Sequence, residues 1–586
     1  MSGMGADKEL DAFLLAAGAG GAALGAGWVA LRVTGHEAHG VAGVIRGMAS
    51  AGPLAWGVAV VVLTMALVAA GLALRAFRSS LGLGSAGGTG SYRDMGRKAA
   101  IKRARTILAD SLPAGASAGD GGELVRYMGS SKGRALYMQF EDPEICYAVT
   151  RSGKTRLLVA RRVLEAPGAV LATSTKVDGI AKTWKGRLQG AGGRTMAFDP
   201  MSKALGPVPV RWDPVLGCRD FNVARGRGRA FAMGGAVARS DDGNTRWFVD
   251  RGAQILGYLF HAAALAGQDI TAVHRWVSRP EEAIEVLRQS QSRTARLMVA
   301  TLNDLMVEMA DETASGFKGT MQGALEPVMI DSVLEALTPP AHESFDAEAF
   351  ARSKDALWVL SPETEGAVAS VTTMFVDHVV GTARRMSDML PGQRLTPPLS
   401  LVLDEAANVA PLPDLDAIFS EGPGRGVFVS AFFQDWSQVV KRWGEQVAQV
   451  VFQQARALYA LGGSKDSEWN ERLANLTAEF EETRTSYSHG PAGGSTSTHT
   501  ERRHRLREAD VAKLPYGTAL LAPSGHDALT VKLVDIDRDA QWGSSALEGQ
   551  RAYDERLRVL QQAPPDQRAL VRQGLVGWMG DAGGGS

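Results

Sequence analysis

An α/β fold built on a mainly parallel sheet is what this sequence predicts, and two observations carry the prediction. From residue 145 onward, short apolar runs alternate with longer helical patterns, the rhythm of strands joined by crossover helices. Two of those runs end in polar signatures 250 positions apart (404 − 154): Thr150-Arg151-Ser152-Gly153-Lys154-Thr155 and Leu403-Asp404-Glu405.

The expected strands are the runs at 145–149, 169–173, 195–198, 356–360, 400–403, 427–433 and 457–461, with helical patterns such as 156–164 and 365–385 between them. From about 240 to 337 the strand signal lapses. Helical periodicity takes over, as in Trp247-Phe248, Ile255-Leu256, Leu259-Phe260 and Ala263, which predicts an all-α domain inserted into the α/β domain. Inside it, Pro280-Glu281-Glu282 marks a helix start with Ser278 as candidate N-cap. Residues 518–522 and 529–534, either side of Gly525, predict a closing hairpin. The polar stretch 485–503 is expected as a mobile loop, and the tail beyond about 540 as frayed.

The N-terminus reads differently. Residues 54–74 hold 21 positions without a charge, enough to cross a bilayer core of about 30 Å. Residues 12–31 form a second apolar run, loaded with glycines. A signal peptide is disfavoured there because Asp7, Lys8, Glu9 and Asp11 stand where a basic start belongs. Two transmembrane helices are therefore expected, joined by a short external loop near 34–52. Arg75, Arg78, Arg93, Arg97 and Lys98 place the following side in the cytoplasm. The Gly/Ser-rich stretch 79–91 is a flexible linker, and a basic segment follows it. The expected division is 1–78 membrane helices, 79–134 linker and basic segment, 135–239 first part of the nucleotide-binding domain, 240–345 inserted helices, 346–540 second part and 541–586 tail.

Composition excludes several classes. The 63 basic residues balance 63 acidic ones, so contact with nucleic acid must be local. Cys146 and Cys218 are the two cysteines, too few for a disulfide framework.

The two polar signatures point to nucleoside triphosphate chemistry. A phosphate loop needs backbone N–H groups converging on oxyanions, a lysine for the β- and γ-phosphates and a hydroxyl for Mg²⁺. Gly153, Lys154 and Thr155 fill those last places between a strand and a helix, with Thr150, Arg151 and Ser152 completing the loop. The departure from the usual pattern is Ala148 where the first glycine belongs, a problem if the position needs a positive φ. Asp404 is the candidate for the magnesium shell, beside Thr155, and Glu405 for activating the attacking water. Gln434, at the end of the 427–433 strand, is placed to sense the γ-phosphate. Arg425, in Gly-Pro-Gly-Arg-Gly, is either an arginine finger for a neighbouring subunit or an ordinary loop arginine.

With these residues assembled, the sequence resembles the TraG-like coupling proteins of conjugation and type IV secretion, within the FtsK/HerA group of DNA-pumping ATPases. The points of resemblance are Thr150–Thr155, Ser174-Thr-Lys-Val-Asp178, Asp404-Glu-Ala-Ala-Asn408, Arg425 and Gln434, together with the position of the inserted helices after Asn244-Thr-Arg-Trp247. Ala406 departs from the aromatic of the family's Asp-Glu-Phe-Ala-Asn. The resemblance implies a RecA/FtsK-like P-loop domain and a homo-hexamer in the bacterial inner (cytoplasmic) membrane, with its ATPase domain in the cytoplasm. It also implies ATP and Mg²⁺ as cofactors, and DNA, usually a single strand with its relaxase, driven toward a type IV secretion channel. Candidate DNA contacts are Lys176, Lys441, Arg442 and 502–505. Trp436 and Trp443 are either base-stacking residues or core. Two alternatives stay open: a protein-secretion ATPase on the same engine, and a nucleotide-stabilised docking platform without steady turnover.

Overall fold

A computed structural model describes residues 92–108, 124–235, 243–308, 311–361, 368–490 and 493–580, with part of 29–64. The chain divides into two units, Met1–Thr89 and Gly90–Ser586. In the first, Leu31, Val44, Met48 and Ala59 pack into a small cluster. A helix, Gly40–Ser50, stands where an external loop was expected, its apolar residues supplying Val44 and Met48 to that cluster. Among the described residues no helix is long and apolar enough to cross a membrane. The expected multi-pass arrangement is therefore not borne out among them; most of 12–31, and 65–74 of the second run, lie outside the described residues.

The second unit is organised on one twelve-stranded sheet, ordered β2-β1-β14-β13-β10-β3-β9-β8-β4-β7-β5-β6. Its strands are β1 (Val125–Ser131), β2 (Arg134–Gln139), β3 (Glu144–Tyr147), β4 (Val170–Ser174), β5 (Thr195–Phe198), β6 (Val208–Pro209), β7 (Ala356–Leu360), β8 (Leu399–Leu403), β9 (Val427–Phe433), β10 (Ala457–Leu461), β13 (Thr518–Pro523) and β14 (Leu529–Lys532). From β10 to β6 every pairing is parallel. From β10 outward to β2 every pairing is antiparallel. The parallel strands read as continuous apolar runs because both faces are covered: β3, β4, β5, β7, β8, β9 and β10 are buried along their whole length. Alternation along β3 sends Ile145 and Tyr147 into one core and Cys146 into the other.

The all-α insertion shares the first of those cores. Helices Phe221–Gly234, Gly243–Ala266, Ile270–Ser278, Pro280–Gln289, Arg293–Leu302, Asp311–Leu325 and Asp331–Leu337 lie between β6 and β7. The insertion thus begins near Phe221 and not at 240. Gly228 sits where the first two helices cross; a Cβ there would lie 2.4 Å from the Ala253 carbonyl. Pro280 starts its helix as expected, but Ser278 ends the preceding one and Arg279 is the N-cap.

Three further expectations are corrected. Residues 125–134, assigned to linker, form β1 and the start of β2, paired to the sheet edge through β14. The stretch 485–503 lies in a two-stranded hairpin, β11 (Glu479–Gly490) and β12 (Gly493–His504), paired along twelve residues each. The tail is folded through residue 580: helix Gly543–Gln562 packs on helix Asp178–Ala191, and Met579 is fully buried, while 581–586 lie outside the described residues.

Candidate nucleotide-binding site

The site forms at the carboxyl ends of β3, β9 and β8, where α/β sheets bind ligands. The loop after β3 runs through Ala148 to Lys154, and Thr155–Val159, a wide helical turn, leads into helix Ala160–Glu165. Two loop residues have left-handed backbone, Arg151 (φ 65°) and Gly153 (φ 87°). Such a turn beside right-handed residues curves successive N–H groups into an anion-binding concavity. Ala148 is not among the positive-φ residues, is 2% exposed, and donates its N–H to the Phe433 carbonyl at 3.0 Å. Alanine therefore fits where glycine was expected.

Strand order brings the second signature to the first. β8 stands two places from β3, with β9 between them, so the ends of the outer two are about 10 Å apart. Lys154 spans that gap and pairs with Asp404 at 2.8 Å from Nζ to Oδ1, both nearly buried. Burial opposes the Lys154 charge, but Asp404 and Glu405 outweigh it and hold the ammonium above its ordinary value. The Asp404 carbonyl accepts from Thr173 Oγ1 on β4 at 2.8 Å. Glu405, at φ 52°, precedes a short helix, Ala406–Val409, and its backbone carbonyl accepts from the Asn408 and Val409 N–H groups at 2.8 and 3.0 Å. Gln434 follows β9 directly, between the two signatures. Its side-chain oxygen accepts from Gln438 Nε2 at 3.3 Å, and Gln438 is itself fixed by Asp435, the N-cap of Trp436–Trp443.

Behind the loop a buried cation–carboxylate group anchors β3 to its helix. Glu144 pairs with Arg162 at 2.5 Å and Arg126 at 3.6 Å. Burial favours the neutral acid there, yet the two guanidiniums keep Glu144 below its ordinary value. Arg162 also donates to the Tyr127 carbonyl on β1.

Arg425 lies elsewhere. It closes helix Leu415–Arg425 rather than occupying a loop, and enters β9 through Gly426 at the strand end opposite Gln434, about 23 Å away. Its guanidinium meets Asp388 and the Ser387 hydroxyl, and is about one-third exposed. Of the candidate DNA contacts, Arg442 is buried and donates to the Met233 carbonyl, whereas Lys176 and Lys441 are exposed. Trp443 is core, with its indole N–H on the Leu412 carbonyl. Trp436 stacks on Trp469 at 5.5 Å beneath Arg472. Both cysteines are free and buried; burial pushes the Cys218 thiol up to about 12.

Sequence reading missed two neighbours of the site, Gln438 and Tyr516. For Gln438 the spacing was present: it stands four residues past Gln434, where one helical turn brings the two side chains together.

Fold and site define a class: an α/β protein in which a glycine–lysine–threonine loop and an acidic strand end meet at the carboxyl edge of a parallel sheet. Residues 398–516 match the family model described as the TraM recognition site of TraD and TraG, which bears out the resemblance to the TraG-like coupling proteins. Similar solved structures include the bacterial conjugative coupling protein TrwBdeltaN70 in an unbound monoclinic form: 18% identical, covering 70% of this chain and 89% of that one, TM-score 0.49. The plasmid coupling protein TrwB in complex with ADP and Mg²⁺ gives 18% identity, 70% and 90% coverage and a TM-score of 0.49. VirB4 of Thermoanaerobacter pseudethanolicus gives 12%, 70% and 96%, and 0.38. No curated protein matches the chain.

Proposed function

We propose that this chain is a membrane-anchored coupling ATPase that hydrolyses ATP to drive relaxase-bound DNA, as a single strand, into a type IV secretion channel. The observation that carries the ATPase reading is the Lys154–Asp404 pair, 2.8 Å across two strand positions. It unites, at one sheet edge, a cation suited to phosphate and a carboxylate suited to Mg²⁺. The match of 398–516 to the TraM recognition site supports the coupling role.

Thr155, Lys154 and Asp404 fit a magnesium–nucleotide: a hydroxyl, an ammonium and a nearly buried carboxylate at the mouth of an amide-lined loop. Bound there, the metal would neutralise charge developing on the phosphates. Lys154 exchanges its carboxylate partner for the β- and γ-phosphates. Glu405 orients a water and takes its proton, and Gln434, on the strand between the two signatures, responds to loss of the γ-phosphate. Arg425 points away from its own site, so its role is in trans, in a homo-hexamer of the inner membrane.

The test is ATP turnover by the full chain, with and without single-stranded DNA, beside Lys154→Ala. Turnover that DNA raises and the variant abolishes is the expected result. Turnover indifferent to DNA would transfer the reading to protein export. Nucleotide binding without turnover would leave a docking platform.

A further inference from the structure

The phosphate loop has an aromatic neighbour that the motifs do not explain. Tyr516, between Pro515 and the start of β13, lies with its ring edge on Gly153. A Cβ built on that glycine would stand 2.4 Å from Tyr516 Cε2. Most large aromatics of this unit are buried, but the Tyr516 side chain is 60% exposed. It is nevertheless held: its hydroxyl donates to Asp535 Oδ2 at 2.6 Å. Asp535 also accepts from Arg156 Nε at 3.2 Å, Arg156 reaches Asp537 at 2.7 Å, and Lys182 grips Asp537 at 2.8 Å. Burial and the Asp535 carboxylate together push the phenol up to about 12, so the ring stays neutral.

Direction along the loop says what such a ring is for. In a phosphate loop the lysine meets the β- and γ-phosphates and the following backbone amides meet the α-phosphate. Here Lys154 faces Asp404, and Arg156, just past Thr155, is tethered through Asp535 to Tyr516. The nucleoside end of a bound nucleotide must leave on the Arg156 side. We infer that Tyr516 is the platform on which the nucleobase stacks. A ring face reads no donor or acceptor pattern, so adenine and guanine nucleotides are taken about equally.

This inference rests on the nucleotide-site reading above, and its test separates the two. Binding of Mg-ATP, Mg-GTP and inorganic tripolyphosphate to the full chain is measured by calorimetry, beside Tyr516→Ala and Tyr516→Phe. Tyr516→Ala is expected to weaken both nucleotides roughly tenfold, the scale of one base–aromatic stack, while tripolyphosphate changes less than about twofold. Tyr516→Phe keeps the ring and most of the nucleotide affinity, which excludes a folding defect. Nucleotide affinity unchanged in Tyr516→Ala, or lowered equally with tripolyphosphate, would overturn the platform. A wild-type chain that binds none of the three would instead remove the nucleotide site itself.

Discussion

Asp404 and Glu405 are adjacent in sequence yet have separate surroundings, because the backbone turns between them. Asp404 ends a buried strand and faces Lys154, whereas Glu405 has a left-handed φ of 52° that swings it onto a new helix. Glu405→Gln keeps shape and removes the carboxylate proposed to take the proton. It is expected to bind ATP as the wild type does and to turn it over at least 100-fold more slowly. A parallel loss of binding would show that the carboxylate holds the loop instead. Ala148→Gly is expected to leave nucleotide affinity within about threefold, since Ala148 has no left-handed backbone to relieve; a tenfold gain in a binding assay would refute that. These positions were legible because each sits in a local run whose spacing carries the chemistry. The backbone angle of Ala148 was not, since the pattern alone does not say which loop residue turns left-handed. Tyr516 was hidden for another reason: its partner Gly153 lies more than 360 positions away, and nothing local marks the pair.

Helix Ala369–Ser387 joins the inserted domain to the sheet. Phe375 stacks on Phe198 of β5 at 4.1 Å, and His378 lies over Trp212 at 5.1 Å while its Nδ1 meets Arg227 at 2.8 Å. Burial, with Arg227 and Arg385 beside it, holds His378 well below its ordinary value, so it accepts as a neutral ring. Asp377 on the same helix is pushed up to about 6 by burial, with Asp414 adding and Arg227, Arg229 and Arg384 opposing. A raised carboxylate contributes stability below its unfolded value and loses it as pH climbs through the folded one. The window is therefore pH 4 to 6, with at most about 3 kcal/mol at stake. Asp377→Asn is expected to raise the thermal midpoint at pH 7.5 and flatten its pH dependence across that window. An unaltered profile would mean the carboxyl is not strained by its surroundings. This helix was legible from its apolar periodicity. The hairpin of β11 and β12 was not, because a run this rich in Ser, Thr, Glu, Arg and His shows no apolar–polar alternation in sequence, and β1 was taken for linker after a glycine-rich stretch.

Across the whole unit, the residues after 540 complete a surface begun by the second crossover, between β4 and β5. Helix Asp178–Ala191 lies over the sheet with Gly179 against Trp358, and its outer side would be bare without the residues after 540. Gly549 lets helix Gly543–Gln562 approach closely: its carbonyl accepts from Trp184 Nε1 at 3.2 Å, and a Cβ there would stand 2.7 Å from the Ala181 carbonyl. Trp578 then packs edge-on to Trp184 at 4.7 Å under Arg556, and Met579 donates its N–H to the Gly206 carbonyl. Composition suggested fraying because the final residues are glycines, but the aromatic pair that docks the segment precedes them. The same covered helix carries Lys182, which fixes Asp537 and through it the Arg156–Asp535–Tyr516 chain beside the phosphate loop. Loss of the C-terminal layer should therefore reach both stability and the nucleotide. A chain ending at Ala540 exposes Trp184 and forfeits the burial of Tyr553 and Met579, each worth about 1.5–3 kcal/mol. It is expected to unfold several degrees lower in a thermal melt and to bind ATP more weakly. Gly549→Leu should reproduce a smaller fall by prising the helices apart, whereas Leu570→Ser, at a side chain 73% exposed, should leave the melt unchanged. Equal midpoints for the full and shortened chains would show that the layer rests on the sheet without holding it.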